Sequence, residues 1–239
     1  YLIKLLDRFC GVDGILVHNH IYSYNITIMI IMKLSGGLGN QLFQYATGRR
    51  LAKIHNTQLK LDIYGFENTS DDTPRTYALS AFAIQEHFAS RKEIIRLKKY
   101  NSILFRNVLP WRHTLYFKER YYHFDPQVLY LPNNTYLKGC WQSEKYFQDI
   151  DLIIRAEFQL RRPLERDKRD FAEHIQKQQN SISLHIRRGD YISHPIAKKV
   201  LGGICTAKYY NDAIQILSQK VVKPIFFVFS DDIAWVKKN

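Results

Sequence analysis

Apolar residues follow two rhythms along this chain, and both read as parts of an alternating strand and helix pattern. Met29 to Leu34 (MIIMKL) is a nearly continuous apolar run of strand length. Gly36-Gly37-Leu38-Gly39 follows, and Asn40 is placed to cap a helix over NQLFQYATGRRLAKIH. Leu42, Phe43, Tyr45, Ala46, Leu51 and Ile54 supply its apolar face. Gln58 to Tyr64 (QLKLDIY) alternates apolar and polar positions, the period of a half-buried strand. Strand, glycine loop, helix and strand form a βαβ unit, which predicts an α/β fold with a parallel sheet.

The second half repeats the theme. Asn134 to Trp141 reads as a strand, and Gln142 to Phe147 starts a helix. Residues 161–180 are the most charged stretch, and read as a helix and linker at a domain boundary. Ser181 to Ile186 (SISLHI) is a further strand running into Arg187-Arg188-Gly189-Asp190-Tyr191. Thr206 caps a helix to about Leu217. Pro224 to Phe229 reads as a buried strand, and a helix starts at Ile233 after Ser230-Asp231-Asp232. Two strands are too few to bury a core. The second domain is therefore expected to be cut short. Residues 1–28 lack a clean period and are read as an extension outside the fold. The expected division is 29–175 for a first domain and 176–239 for the start of a second.

Charge narrows the partners. The 239 residues carry 35 Lys and Arg against 22 Asp and Glu, a formal charge of +13. Such an excess favours a polyanionic partner. It is concentrated in residues 88–123, with nine basic residues against two acidic, and in 181–239, with nine against four. Aromatic residues interleave the first block, but no RNA-binding motif accompanies it, so nucleic acid is not the expected partner. No run of about 18 apolar residues is present, so no membrane span is expected. Cys10, Cys140 and Cys205 are far apart, without CxxC or zinc spacing. That argues against a disulfide framework or structural zinc and fits a reducing compartment.

Four segments can carry chemistry. Gly36, Gly37, Gly39, Asn40 and Gln41 join a strand to a helix, where glycines let a ligand approach the backbone. The run lacks the Lys-Ser/Thr of a Walker A loop and the spacing of a dinucleotide fingerprint, so a plain tight turn is an equal reading. His185, Arg187, Arg188 and Asp190 lie at the carboxyl end of a strand, where open α/β sheets bind ligands. Paired arginines there suit a diphosphate, and Asp190 can orient an arginine or accept a hydroxyl proton. Ser230, Asp231 and Asp232 end the next strand, placed either to cap a helix or to bind Mg²⁺, ribose or guanine. Trp141 and Gln142 offer a stacking face and a hydrogen bond to a sugar, or else form a core aromatic before a capped helix.

In order and spacing, GGLGNQLFQYATGRRLA, YLKGCWQSEKYF, SLHIRRGDY and FFVFSDDIAWVK resemble the bacterial α-1,2-fucosyltransferases of glycosyltransferase family 11, from Met29 to Asn239. The resemblance implies a GT-B architecture of two Rossmann-like domains, the second incomplete here. It implies inverting, metal-independent transfer of L-fucose from GDP-β-L-fucose to a galactose 2-hydroxyl, with no cofactor. Arg187 or Arg188 then holds the GDP β-phosphate, with Arg187 preferred. His185 sits near the nucleotide, and Asp231 or Asp232 recognises guanine or ribose. The Gly36–Gln41 loop faces fucose or acceptor, and Asp190 is a candidate base. The implied partners are GDP-fucose and a galactose-containing glycan, including a lipid-linked one. The implied location is cytoplasmic, with the basic block as a peripheral contact to an anionic inner membrane. The alternatives are a fucosyltransferase of other linkage and an inactive or binding-only fragment, because the family's further Ser- and Trp-rich motif is missing.

Overall fold

The structure, a computed structural model, describes residues 28–67, 75–99, 116–193, 195, 199 and 205–239. The N-terminal extension up to residue 27 and the middle of the basic block, residues 100–115, lie outside the described residues. The chain forms two units, each discontinuous in sequence.

The first unit comprises Tyr1–Leu34, Gly39–Ile63 and Glu86–Asp151. Its sheet is all parallel and has four strands: β1 (Met29–Lys33), β2 (Gln58–Asp62), β3 (Tyr116–Lys118) and β4 (Tyr136–Lys138), in the order β2-β1-β4-β3. Central parallel strands are covered on both faces and therefore read as unbroken apolar runs. Met29, Ile30, Ile31 and Met32 are accordingly all buried. Burying each such side chain contributes about 1.5–3 kcal/mol. Helix α1 (Leu38–Ile54) lies on the face of Ile30, Met32 and Leu59. Helix α2 (Arg91–Lys99) lies on the opposite face, where Lys60 pairs with Glu93 at 2.6 Å.

Helix α1 departs from the pattern in its sequence. It begins at Leu38, so Asn40 sits inside the first turn rather than capping it. Its buried side includes Gln41, Gln44, Thr47 and Gly48, while Ile54 is exposed. The reason is close approach to the sheet. A Cβ on Gly48 would lie 2.8 Å from Leu59 Cδ1 and 3.2 Å from Met32 Cβ. Small and hydrogen-bonding side chains fit this interface, and Gln44 Nε2 donates to the Gly139 carbonyl at 2.9 Å. The predicted helix over Gln142 to Phe147 is instead a short 3-10 turn, Glu144–Tyr146. A second such turn and helix α3 (Asp151–Glu157) follow.

The second unit comprises Ser35–Leu38, Tyr64–Gln85 and Leu152–Asn239. Its sheet has two parallel strands, β5 (Ser181–Ile186) and β6 (Ile225–Ser230), paired over six positions. Around them lie α4 (Arg166–Lys177), α5 (Gly189–Ser193), α6 (Ala207–Lys220) and α7 (Ile233–Lys238). Phe171 and His174 of α4 meet Phe227 edge-on. The expected burial of β6 is not observed: Ile225, Val228 and Phe229 are each about two-fifths exposed. A strand with one neighbour and little covering helix keeps half its side chains in contact with water.

Candidate functional site

The register of the second sheet sets Ile186 beside Ser230, which brings the two chain segments that follow into contact. Arg188 N–H and Gly189 N–H donate to the two carboxylate oxygens of Asp231 at 2.8 and 3.0 Å. Gly189 leaves room for this contact: a Cβ there would lie 2.7 Å from Asp231 Oδ2 and push that carboxylate away. Asp232 caps α7 by accepting from Trp235 N–H at 3.0 Å, and it accepts from Arg188 Nε at 3.1 Å. The Trp235 amide first, and then Arg188, hold the Asp232 carboxyl below the usual range. Ser230 Oγ accepts from Asp232 N–H. The Arg188 guanidinium also lies 4.2 Å from the Trp235 ring centroid, a cation–π contact.

The two arginines are therefore not equivalent. Arg188 is held by a carboxylate and an aromatic face. Arg187 is exposed beyond the strand end, with its guanidinium 4.5 Å from the Tyr191 ring centroid. The Tyr210 hydroxyl lies beneath the turn, where burial, and then Cys205 beside it, push its pKa up. His185 is also exposed. Asp232 orients Arg188. Asp190 is the second residue of α5, and its side chain lies outside the described residues. Asp231 and Asp232, read as ligand-binding or capping residues, both bind the protein itself. A carboxylate has about four acceptor sites, so this leaves capacity for a further donor on each.

In the first unit, Gln142 Nε2 donates to Asn40 Oδ1 at 2.7 Å. Gly36 has a left-handed φ of 74°, which only glycine adopts cheaply. At Gly37 and Gly39 an added Cβ would meet nothing within 4 Å, so their own surroundings do not require glycine. Gln41 is fully buried. Trp141, the expected stacking face for a sugar, is fully buried against Phe117 and Tyr146. Its backbone sits at φ 57°, because Cys140 N–H and Trp141 N–H both donate to Glu119 and turn the side chain inward. Burial, and then Glu119, push the Cys140 thiol up, away from nucleophile chemistry.

One cluster escaped the sequence reading. Asp62, at the end of β2, is 3% exposed and accepts from the Tyr136 hydroxyl at 2.6 Å. Lys98 Nζ lies 3.9 Å from Asp62 and 4.4 Å from the Tyr136 ring centroid. The available signal was that β1, β2, β3 and β4 each end on a charged residue.

Among the described residues, no three His, Cys, Asp or Glu side chains gather to hold a metal ion. No described helix is long and apolar enough to cross a membrane.

The sequence model of glycosyl transferase family 11 matches residues 26–239. The chain is 33% identical over 218 residues to an α-1,2-colitosyltransferase of Escherichia coli, covering 88% of this chain and 71% of that one. It is 34% identical over 228 residues to the Escherichia coli O-antigen biosynthesis glycosyltransferase WbnK, covering 86% and 74%. It is 23% identical over 213 residues to the galactoside α-(1,2)-fucosyltransferase 2 of Sus scrofa, covering 85% of this chain and 54% of that one.

Proposed function

The chain belongs to glycosyl transferase family 11, and on that premise we propose that it transfers L-fucose from GDP-β-L-fucose to the 2-hydroxyl of a galactose-containing glycan. The observation that carries this reading is the division of labour between the arginines at the end of β5. Arg188 is committed to Asp232 and Trp235 and builds the turn. Arg187, with its guanidinium against the Tyr191 ring, stays exposed beyond the strand end.

When the glycosyl bond breaks, negative charge grows on the leaving diphosphate. A guanidinium already in position stabilises that charge without reorganising, which makes such donors worth about 10²–10³ in rate. Arg187 is the group assigned to the β-phosphate. His185 lies beside it towards the nucleotide, and Asp231 and Asp232 use their remaining acceptor sites on guanine or ribose donors. Asp190, the last residue of the run His185-Ile186-Arg187-Arg188-Gly189-Asp190, is assigned to take the proton from the acceptor hydroxyl in an inverting displacement. The galactoside α-(1,2)-linkage of the porcine relative supports this acceptor class. The GT-B arrangement belongs to the same proposal.

A second reading follows from the Escherichia coli colitosyltransferase: the transferred sugar is colitose. Calorimetry of GDP and GDP-fucose on the purified chain tests the donor site, with Arg187→Ala as control. Micromolar binding abolished by the substitution supports the assignment. Equal binding by a folded Arg187→Ala chain overturns it. Linkage analysis of the product, with fucosyl and colitosyl donors in competition, separates the two readings.

A further inference from the structure

The four strands of the first unit end at one level. Lys33 is the register partner of Asp62, and Lys118 of Lys138. The β1–β4 register pairs Met32 with Leu137, so the next positions, Lys33 and Lys138, are neighbours. Partners in parallel strands project from the same face, and strands lie about 4.8 Å apart. Asp62, Lys33, Lys138 and Lys118 therefore form one row across the sheet at its carboxyl edge. Lys98 of α2 enters the same face, at 3.9 Å from Asp62. Burial holds the Lys98 pKa below the usual range; Asp62 opposes that, and Lys33 and Lys138 add to it.

The row holds four ammonium groups and one carboxylate. That carboxylate is buried and already accepts the Tyr136 hydroxyl. Lys33, Lys118 and Lys138 make no ion pair among the described residues. Like charges on adjacent strands at one level repel. A solvated strand end needs only polar side chains, so three lysines side by side are a cost that packing does not explain. The carboxyl edge of an open parallel sheet is also where α/β folds bind ligands.

We propose that this lysine row binds a phosphate-type dianion carried by the acceptor, such as a sugar phosphate or diphosphate. Only the word acceptor rests on the function proposed above; the anion site stands on the row itself. Several point charges about 5 Å apart suit a group with two or more negative charges. A lone carboxylate would use only part of the row.

The test uses the whole chain in the Arg187→Ala background, so that the proposed donor site is silent, and galactose 1-phosphate as the probe. Lys33→Met with Lys138→Met is expected to weaken that binding at least tenfold. Methyl galactoside is expected to bind no better to the parent than to the double variant. In the chain with Arg187 intact, the lysine substitutions are expected to leave GDP affinity unchanged, so failure of the donor reading and failure of the lysine row are read separately. Inorganic phosphate distinguishes the sources. Tighter binding of galactose 1-phosphate than of inorganic phosphate supports an acceptor-borne group, and equal binding of the two overturns that part. If the double variant melts early, Lys118→Met, on an exposed strand end, is expected to weaken binding about threefold. Unchanged affinity in a variant that melts like its parent overturns the site.

Discussion

Substitution of Gly189 by alanine changes no residue assigned to a ligand, yet it should loosen the arginine turn. The new Cβ would stand 2.7 Å from Asp231 Oδ2 and 3.3 Å from its Cγ. Relieving that overlap needs a retreat of about half an ångström. The bonds from Arg188 N–H and Gly189 N–H, now 2.8 and 3.0 Å, would then stretch past the usual limit near about 3.2 Å. Hydrogen bonds to a charged acceptor are worth about 1.5–3 kcal/mol each, and solvent at this exposed site cuts that roughly in half. Against the loss of both stands up to about 1 kcal/mol of gained helix propensity. The net effect is about 1–2 kcal/mol of local destabilisation, or about 5–30-fold in an equilibrium. Amide hydrogen exchange at Arg188 and Gly189 should accelerate by that factor. GDP affinity should fall by a similar factor, because misplacing a positioned group is costly. Unchanged exchange at both amides would refute the view that Asp231 holds the turn.

Two further outcomes concern the first unit. Gly48→Ala should lower stability by about 1–2 kcal/mol, since overpacking against Met32 Cβ outweighs the propensity gain; a raised melting temperature would contradict the close approach of α1. Ser90 and Glu93 form a reciprocal capping box at α2, with Lys60 as a third partner. Burial raises the Glu93 pKa, but the Lys60 and Ser90 bonds together bring it below the ordinary 4.5. The folded carboxyl is thus the stronger acid, so its contribution is present above pH 4.5 and is lost as pH falls through the folded value. Glu93→Gln should cost about 1 kcal/mol near neutral pH, and denaturant titrations of variant and parent should converge as the pH falls below the folded value.

Local signals carried far in this chain. The bounds of β5 match the apolar alternation of SISLHI, and Thr206 caps α6 through Tyr209 N–H. These features depend on neighbours in sequence, so periodicity and capping chemistry suffice. What stayed hidden depends on partners far along the chain. Nothing near Gln41 or Gln44 signals that they face a sheet close enough to demand Gly48. The inward turn of Trp141 comes from Glu119, a residue of another strand's end. Strand β3 is three residues long and lies in a segment dominated by its charge. At the arginine site the residue types were legible, but the pairing of Arg188 with Asp232 required the register of β5 and β6. The lysine row needed the register of four strands at once.

The order β2-β1-β4-β3 also has a consequence in time. Strand β4 occupies an inner position but is the last of the four to leave the ribosome. At about 5–20 residues per second, synthesis from Asp62 to Lys138 takes about 4–15 s. Throughout that interval β1, whose MIIMK segment is the most apolar strand of the sheet, holds β2 on one side and presents a bare hydrogen-bonding edge on the other. The nascent chain is then a half-built sheet with an adhesive flank, and crowding or slow translation downstream of β2 would weigh on its yield more than on the stability of the finished protein.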